Sequence, residues 1–232
     1  MPAGPETPHC GQPYAAAIFD MDGLLLDTER LVLQGFEAAA QELGCNVGRD
    51  TFDAMIGRSY AKSRPVLAQA LEGQVALEAF EQACRRHVDA AYADGIPIKP
   101  GVEALLGALS KAGLPLAVAT STAHARAIKK LDATHLTDHF SAIVGGDQVA
   151  ESKPAPDIYL AAAHQLNVAP GRCVAFEDSP NGVRAAHAAG MRVVQVPDLL
   201  APDDDLRALG HVIAATVIDG AAAVGLISTS ER

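Results

Sequence analysis

The segment Tyr14–Asp27 reads YAAAIFDMDGLLLD. Its first half is an almost unbroken apolar run that ends in two aspartates one residue apart. Such a run suits a parallel strand buried on both faces, not the alternating strand of a half-exposed sheet. Five more segments share this character: Pro115–Thr120 (PLAVAT), Ala142–Asp147 (AIVGGD), Cys173–Asp178 (CVAFED), Arg192–Val196 (RVVQV) and His211–Thr216 (HVIAAT). Helix-period stretches lie between most of them. Gly101–Ala112 sets Val102, Leu105, Leu106 and Leu109 on one face, and Pro156–Leu166 does the same with Ile158, Ala162, Ala163 and Leu166. This alternation predicts an α/β fold with a doubly wound parallel sheet.

One interval departs from the rhythm. Between Asp20 and the strand ending at Thr120 the pattern is helical only. Thr28 is the expected N-cap of a helix carrying Leu31, Leu33, Phe36, Ala40 and Leu43 and ending at Gly44. Leu77–Tyr92 repeats apolar residues at Leu77, Phe80, Cys84, Val88 and Tyr92, and a middle helix over Ser59–Leu71 is interrupted by Pro65. A crossover between parallel strands needs only about a dozen residues. The interval is several times longer, so residues 30–97 are expected to form an inserted helical cap domain. Residues 14–29 and 98–232 would then make a discontinuous core. The acidic cluster Asp203–Asp205 reads as a solvated helix start.

The 232 residues are 49% apolar and 20% charged, enough for a large core. Gly 20 and Pro 14 are ordinary and exclude a collagen-like or disordered chain. No apolar run is long enough to span a bilayer. Met1–Pro13 lacks the basic start and apolar stretch of a secretory signal and reads as a flexible N-terminal tail. The net charge of −10, with no basic run to offset it, argues against nucleic acid as a partner. Cys10, Cys45, Cys84 and Cys173 form no CxxC pair, so reduced thiols in the cytoplasm are expected. A monomer is expected.

In open α/β sheets the ligand site lies outside the carboxyl ends of the strands. Here those ends carry Asp20-Met21-Asp22-Gly23, Thr120-Ser121-Thr122, Ser152-Lys153-Pro154 and Glu177-Asp178-Ser179. Each alone has a structural reading: Asp22-Gly23 is a common turn, and Asp178-Ser179-Pro180 looks like a helix cap. Four such groups at successive strand ends point to a site. A carboxylate and a phosphate dianion repel, so an aspartate attacks phosphorus only where a hard cation screens the charge. Mg²⁺ does so with oxygen ligands. Asp20 and Asp178 can supply two carboxylates and Asp22 its backbone carbonyl, which leaves the Asp22 side chain free for proton transfer. Lys153 adds positive charge, and Thr120, with Ser121 beside it, can hold the phosphoryl group of a small phosphorylated metabolite. The set fits phosphoryl transfer through an aspartyl-phosphate.

FDMDGLLLD (Phe19–Asp27), AVATST (Ala117–Thr122), Lys153-Pro154 in SKPAPDIY and FEDSPNGVRAAHAAGM (Phe176–Met191) together resemble the motifs of the haloacid dehalogenase superfamily. The branch resembled contains the phosphatases and β-phosphoglucomutase-like enzymes with a helical cap. The resemblance implies Asp20 as nucleophile, Asp22 as general acid and base, and Thr120 and Lys153 as stabilisers. It implies Mg²⁺ on Asp20, the Asp22 carbonyl and Asp178, with Glu177 assisting directly or through water. Asp22 speaks against a true dehalogenase, which lacks the second aspartate. The mutases carry a histidine inside the first cap helix and an arginine in the cap loop. Here Val32 and Tyr60 stand near those positions, so a phosphatase is favoured, with a sugar-phosphate mutase as the alternative.

In the loop after Gly57, the side chains of Arg58, Ser59, Tyr60 and Lys62 are candidate substrate contacts. Lys62 and Arg64, like Arg85-Arg86-His87, also read as solvated helix faces. His124, just past Thr120, is a weaker substrate candidate than an exposed side chain.

Overall fold

The computed structural model describes residues 14–58 and 60–228, so the expected N-terminal tail and Cys10 lie outside the described residues. Six strands form one sheet: β1 (Ala16–Phe19), β2 (Leu116–Thr120), β3 (Ala142–Gly145), β4 (Cys173–Glu177), β5 (Arg192–Gln195) and β6 (Val212–Ile213). All pairs are parallel, in the order β3-β2-β1-β4-β5-β6. Every residue of β1, β2 and β4 is buried, as unbroken apolar runs require of strands covered on both faces.

Side chains alternate across the sheet and so define two apolar layers. Ala17 and Phe19 face one cluster with Val118, Val174 and Phe176, and the Phe19 and Phe176 rings stack at 4.8 Å. Ala16 and Ile18 face the other with Ala117, Ala119 and Ala175. Helices α5 (Val102–Lys111) and α10 (Val217–Ala223) contribute to the first layer. Helices α7 (Asp157–Gln165) and α8 (Pro180–Ala188) contribute to the second. Helix α6 (His124–Ala133) follows β2, and α9 (Asp204–Arg207) starts at the acidic cluster, where the Asp203 carboxylate accepts from the Leu206 amide.

The strand order reverses beside β1, which lies between β2 and β4. That crevice is where open sheets of this kind bind ligands.

The helical insert contains α1 (Thr28–Leu43), α2 (Arg49–Asp53), α3 (Tyr60–Ala70) and α4 (Leu77–Ala93). It has its own apolar cluster of Phe36, Ala39, Phe52, Ile56, Leu67, Leu71, Phe80 and Ala83, with Phe36 edge-on to Phe52 and Phe80. Two chain crossings join it to the sheet, and they pair with each other: the Asp27 amide donates to the Pro97 carbonyl, and the Lys99 amide to the Leu25 carbonyl. Asp198, after β5, binds both Arg30 and Lys99 at 2.7 Å, and Leu199 and Leu200 pack on the insert's cluster.

Two local expectations change. Asp27, not Thr28, precedes α1, because the Thr28 hydroxyl is engaged elsewhere: it donates to Asp22 Oδ1 at 2.6 Å. Pro65 does not break α3, which runs through it. The amide it lacks would have bonded only the exposed Ala61, one turn into the helix. Gly44 ends α1 in the left-handed region as expected.

Candidate active site

Asp20 follows the last residue of the central strand, and its register neighbours deliver the rest of the site. Phe19 pairs with Val118 on one side and Phe176 on the other, which sets Asp20 between the ends of β2 and β4. Lys153, fully enclosed, donates to Asp20 Oδ1 at 2.5 Å, Glu177 Oε1 at 2.6 Å and the Ala119 carbonyl at 3.0 Å. Tyr159 donates to the same Glu177 oxygen at 2.6 Å. The other, Oε2, accepts from the Asp178 and Ser179 amides and the Ser179 hydroxyl, at 3.1, 3.2 and 3.1 Å. Glu177 is thus saturated.

Asp20, Glu177 and Asp178 each offer an oxygen within 4.8 Å of the others. Three buried carboxylates therefore face the single ammonium of Lys153. Burial lifts the Asp20 carboxyl to about 7; Lys153 opposes the shift and Glu177 adds to it. Burial, with Glu177 and Asp20 as like-charged neighbours, also pushes Asp178 well above the usual carboxylate range. Burial works against the Lys153 ammonium, but Asp20 and Glu177 more than offset it and hold its pKa above the ordinary value.

Such an excess of buried carboxylate oxygens matches the donor set of a hard divalent cation. With both Glu177 oxygens occupied, the carboxylate oxygens left to face a cation belong to Asp20 and Asp178.

Two glycines make this packing possible. A side chain at Gly182 would collide with the Glu177 carboxylate, and one at Gly23 with Asp178. Gly23 also sits at φ +88°, a turn that glycine adopts without strain.

Asp22 points away from this cluster. Its Oδ1 accepts from Thr28 and Lys130, and its Oδ2 from Thr122, all at 2.6 Å, with Thr120 at 3.5 Å. Burial would raise its pKa, but Lys130 and the Thr122 and Thr28 hydroxyls outweigh burial and hold it below the ordinary value.

These groups open into one cavity of about 780 Å³. Its wall includes Asp20, Asp22, Thr120, Ser121, Lys153 and Asp178 from the sheet edge, and Val32, Arg58, Tyr60 and Arg85 from the insert. The Ser121 hydroxyl is buried and has no hydrogen-bond partner among the described residues.

Ser59 lies outside the described residues. Arg58 lines the cavity as expected, and Tyr60 does too, although its hydroxyl donates to Glu81. Lys62 is not simply solvated: its ammonium donates to the Ser152 and Lys153 carbonyls at 3.1 and 3.5 Å, tying α3 to the lysine loop. Arg64 reaches across to Glu78 and Glu81 on α4. Arg86 and His87 pair with Glu42 on the surface, but Arg85 faces the cavity. His124 does not line it; its amide donates to Asp147.

Sequence reasoning missed four residues. Tyr159 lies within the SKPAPDIY motif, and Lys130 stands one helical turn after Arg126, which also lines the cavity. Arg85 is two turns before Tyr92 on α4, so the two share a face. Glu29 lines the cavity from the first turn of α1, and its carboxyl is raised to about 8 by burial and by Asp22 and Asp20.

A family model described as haloacid dehalogenase-like hydrolase matches residues 17–196. The phosphorylated carbohydrates phosphatase of Thermotoga maritima is 36% identical over 176 residues, covering 76% of this chain and 82% of that protein. Hexitol phosphatase B of Escherichia coli (strain K12) is 33% identical over 206 residues, covering 85% and 90%. Among solved structures, CbbY from Rhodobacter sphaeroides in complex with phosphate is similar, with a TM-score of 0.72 and 31% identity, covering 88% of this chain and 94% of that one. Among the described residues no helix is long and apolar enough to cross a membrane.

Proposed function

The chain belongs to the haloacid dehalogenase-like hydrolases, and on that footing we propose a magnesium-dependent phosphomonoester phosphatase that works through a phosphoryl group carried on Asp20. The observation that carries this reading is the sharing of Lys153 between Asp20 and Glu177, beside Asp178, at the floor of a cavity that also gathers Asp22, Thr120 and Ser121.

Asp20 attacks phosphorus, and the ester P–O bond breaks as Asp22, which begins the cycle protonated against the pull of Lys130 toward its carboxylate form, gives its proton to the leaving oxygen. Asp22, now a carboxylate, takes a proton from a water molecule whose oxygen attacks the phosphoryl-aspartate. Inorganic phosphate leaves and Asp20 is restored. Lys153 offsets the charge on Asp20 throughout, and the Thr120 and Ser121 hydroxyls donate to the phosphoryl oxygens. Asp20, Asp178 and the Asp22 carbonyl would hold Mg²⁺, which would supply the screening that lets a carboxylate approach a phosphate. Glu177 supports that site by orienting Lys153 and the Asp178–Ser179 backbone.

The substrate is a small phosphorylated sugar or nucleoside-type metabolite. A phosphorylated carbohydrates phosphatase and a hexitol phosphatase stand among the similar proteins, and Arg58, Tyr60 and Arg85 offer polar groups around the organic portion. Val32 and Tyr60, near the positions of the mutase histidine and arginine, favour hydrolysis over phosphoryl migration.

The insert, residues 30–97, closes over the sheet edge and excludes bulk water. The free thiols of Cys45, Cys84 and Cys173 support a reducing cytoplasmic setting.

A phosphate-release screen over small phosphorylated metabolites, with Asp20→Asn as blank, tests this reading. Release that stops in chelator and returns with Mg²⁺ is expected. Conversion of a sugar 1-phosphate into its 6-phosphate without free phosphate would favour the mutase.

A further inference from the structure

Lys130 has no part in the phosphoryl-transfer scheme above, yet it is tied to one of its central groups. It projects from α6 into the catalytic cavity, one helical turn beyond Arg126. Its ammonium donates to Asp22 Oδ1 at 2.6 Å and sits 5.3 Å from the centroid of the Tyr92 ring on α4. Its side chain is 14% exposed, so water screens the pair weakly. Burial disfavours the ammonium here, but Asp22 and then Tyr92 compensate and keep it charged.

The other groups holding the Asp22 carboxylate, Thr28, Thr122 and, more distantly, Thr120, are neutral hydroxyls. Among the described residues Lys130 is the cation paired with it. A charge-assisted bond of this length is the strongest orienting contact that Asp22 makes.

Resting on the phosphatase reading, we infer that Lys130 is a positioning residue that aims the Asp22 carboxylate and, through the Tyr92 ring, links that aim to the helical insert. Two features of the packing support the link. Tyr92 stands near the end of α4, a few residues before the return crossing at Pro97. Lys130 belongs to the sheet-side helix after β2, so the contact bridges the two parts of the molecule beside their junction. Lys153 differs: Asp20, Glu177 and Ala119 enclose it, and all of these belong to the sheet edge. A displacement of α4 against α6 therefore acts directly on the Lys130 ammonium and Asp22, whereas among the described residues the insert's hydrogen bond to Lys153, from Lys62, reaches its backbone carbonyl and not its ammonium.

The test uses the full chain with a substrate from the phosphate-release screen. Lys130→Met is expected to lower kcat on the order of 10-fold with KM within about two-fold, because orientation of the proton-transfer group is lost while phosphate binding is kept. Lys130→Arg should restore most of the rate, and Tyr92→Leu should fall between the wild type and Lys130→Met. The double variant Asp22→Asn/Lys130→Met should be no slower than Asp22→Asn alone. A rise in KM at unchanged kcat would instead make Lys130 a substrate ligand and overturn the inference, as would fully multiplicative losses in the double variant.

A crystal structure of Lys130→Met gives a readout independent of turnover: Asp22 should leave Thr122, and an Asp22 side chain in its original place contradicts the proposal. A wild-type protein that releases no phosphate from any ester overturns both this role and the phosphatase reading. Normal wild-type turnover with an unaffected Lys130→Met variant overturns this role only.

Discussion

At the sheet edge, Lys153, Glu177 and Tyr159 are buried, and the ammonium, both carboxylate oxygens and the phenol each meet a partner. On the insert's side of the same cavity, Arg58 and Arg85 are exposed and form no ion pair among the described residues. The proposed chemistry accounts for the contrast. Charge development at phosphorus rewards donors whose orientation is settled before substrate arrives. Recognition of an organic portion tolerates side chains that settle on binding and lose their entropy only then. Rigidity therefore belongs to the floor and adaptability to the roof.

The largest blow to the floor is Asp20→Asn, which removes the proposed nucleophile. We expect turnover of an aryl phosphate to fall about 10⁴-fold or more with an unchanged circular dichroism spectrum. Next comes Gly182→Ala, which forces a methyl group into the Glu177 carboxylate. Overpacking of this kind costs roughly 1–3 kcal/mol, so thermal unfolding should begin several degrees lower, with activity reduced as Lys153 shifts.

On the roof, Arg58→Ala and Arg85→Ala should spare stability. Each should raise KM for the preferred metabolite by roughly 10-fold while kcat for a small aryl phosphate stays within about two-fold. Equal losses on both substrates would erase the contrast between the walls.

The smallest effect is a slope. Glu29 has an ordinary value of 4.5 and is raised to about 8 in the fold, so the folded state holds its proton more tightly than the unfolded one. Its contribution to stability is complete below 4.5 and drains away as pH rises through 8. Asp20, raised to about 7, adds to the same trend. Thermal melts in chelator should therefore show falling stability from pH 4.5 to 8, and Glu29→Gln should flatten part of that fall.

The contrast between the walls also explains which features the sequence made readable. Continuous apolar runs such as AAIF and CVAFE, spaced by helix-period segments, fit strands covered on both faces, whose polar ends then meet at one edge. Asp20, Thr120 and Asp178 were therefore visible from position alone, whereas Lys153 stands in a loop eight residues beyond β3. Lys130 and Arg85 were not, because a basic residue on an amphipathic helix looks the same whether it faces water or a cavity. Only the helical phase shared with Arg126 in one case, and with Tyr92 in the other, carried the signal. Thr28 misled for a related reason: a hydroxyl at a helix start caps it by default, and only tertiary contact reveals Asp22 as its partner.

The most direct test of a phosphoryl-carrying Asp20 is an acid quench during steady turnover of a radiolabelled phosphate ester, followed by peptide mapping. The account predicts label on the peptide containing Asp20 in Mg²⁺, and none there in chelator or in Asp20→Asn. Steady phosphate release with no label on the protein, and undiminished release by Asp20→Asn, would contradict it.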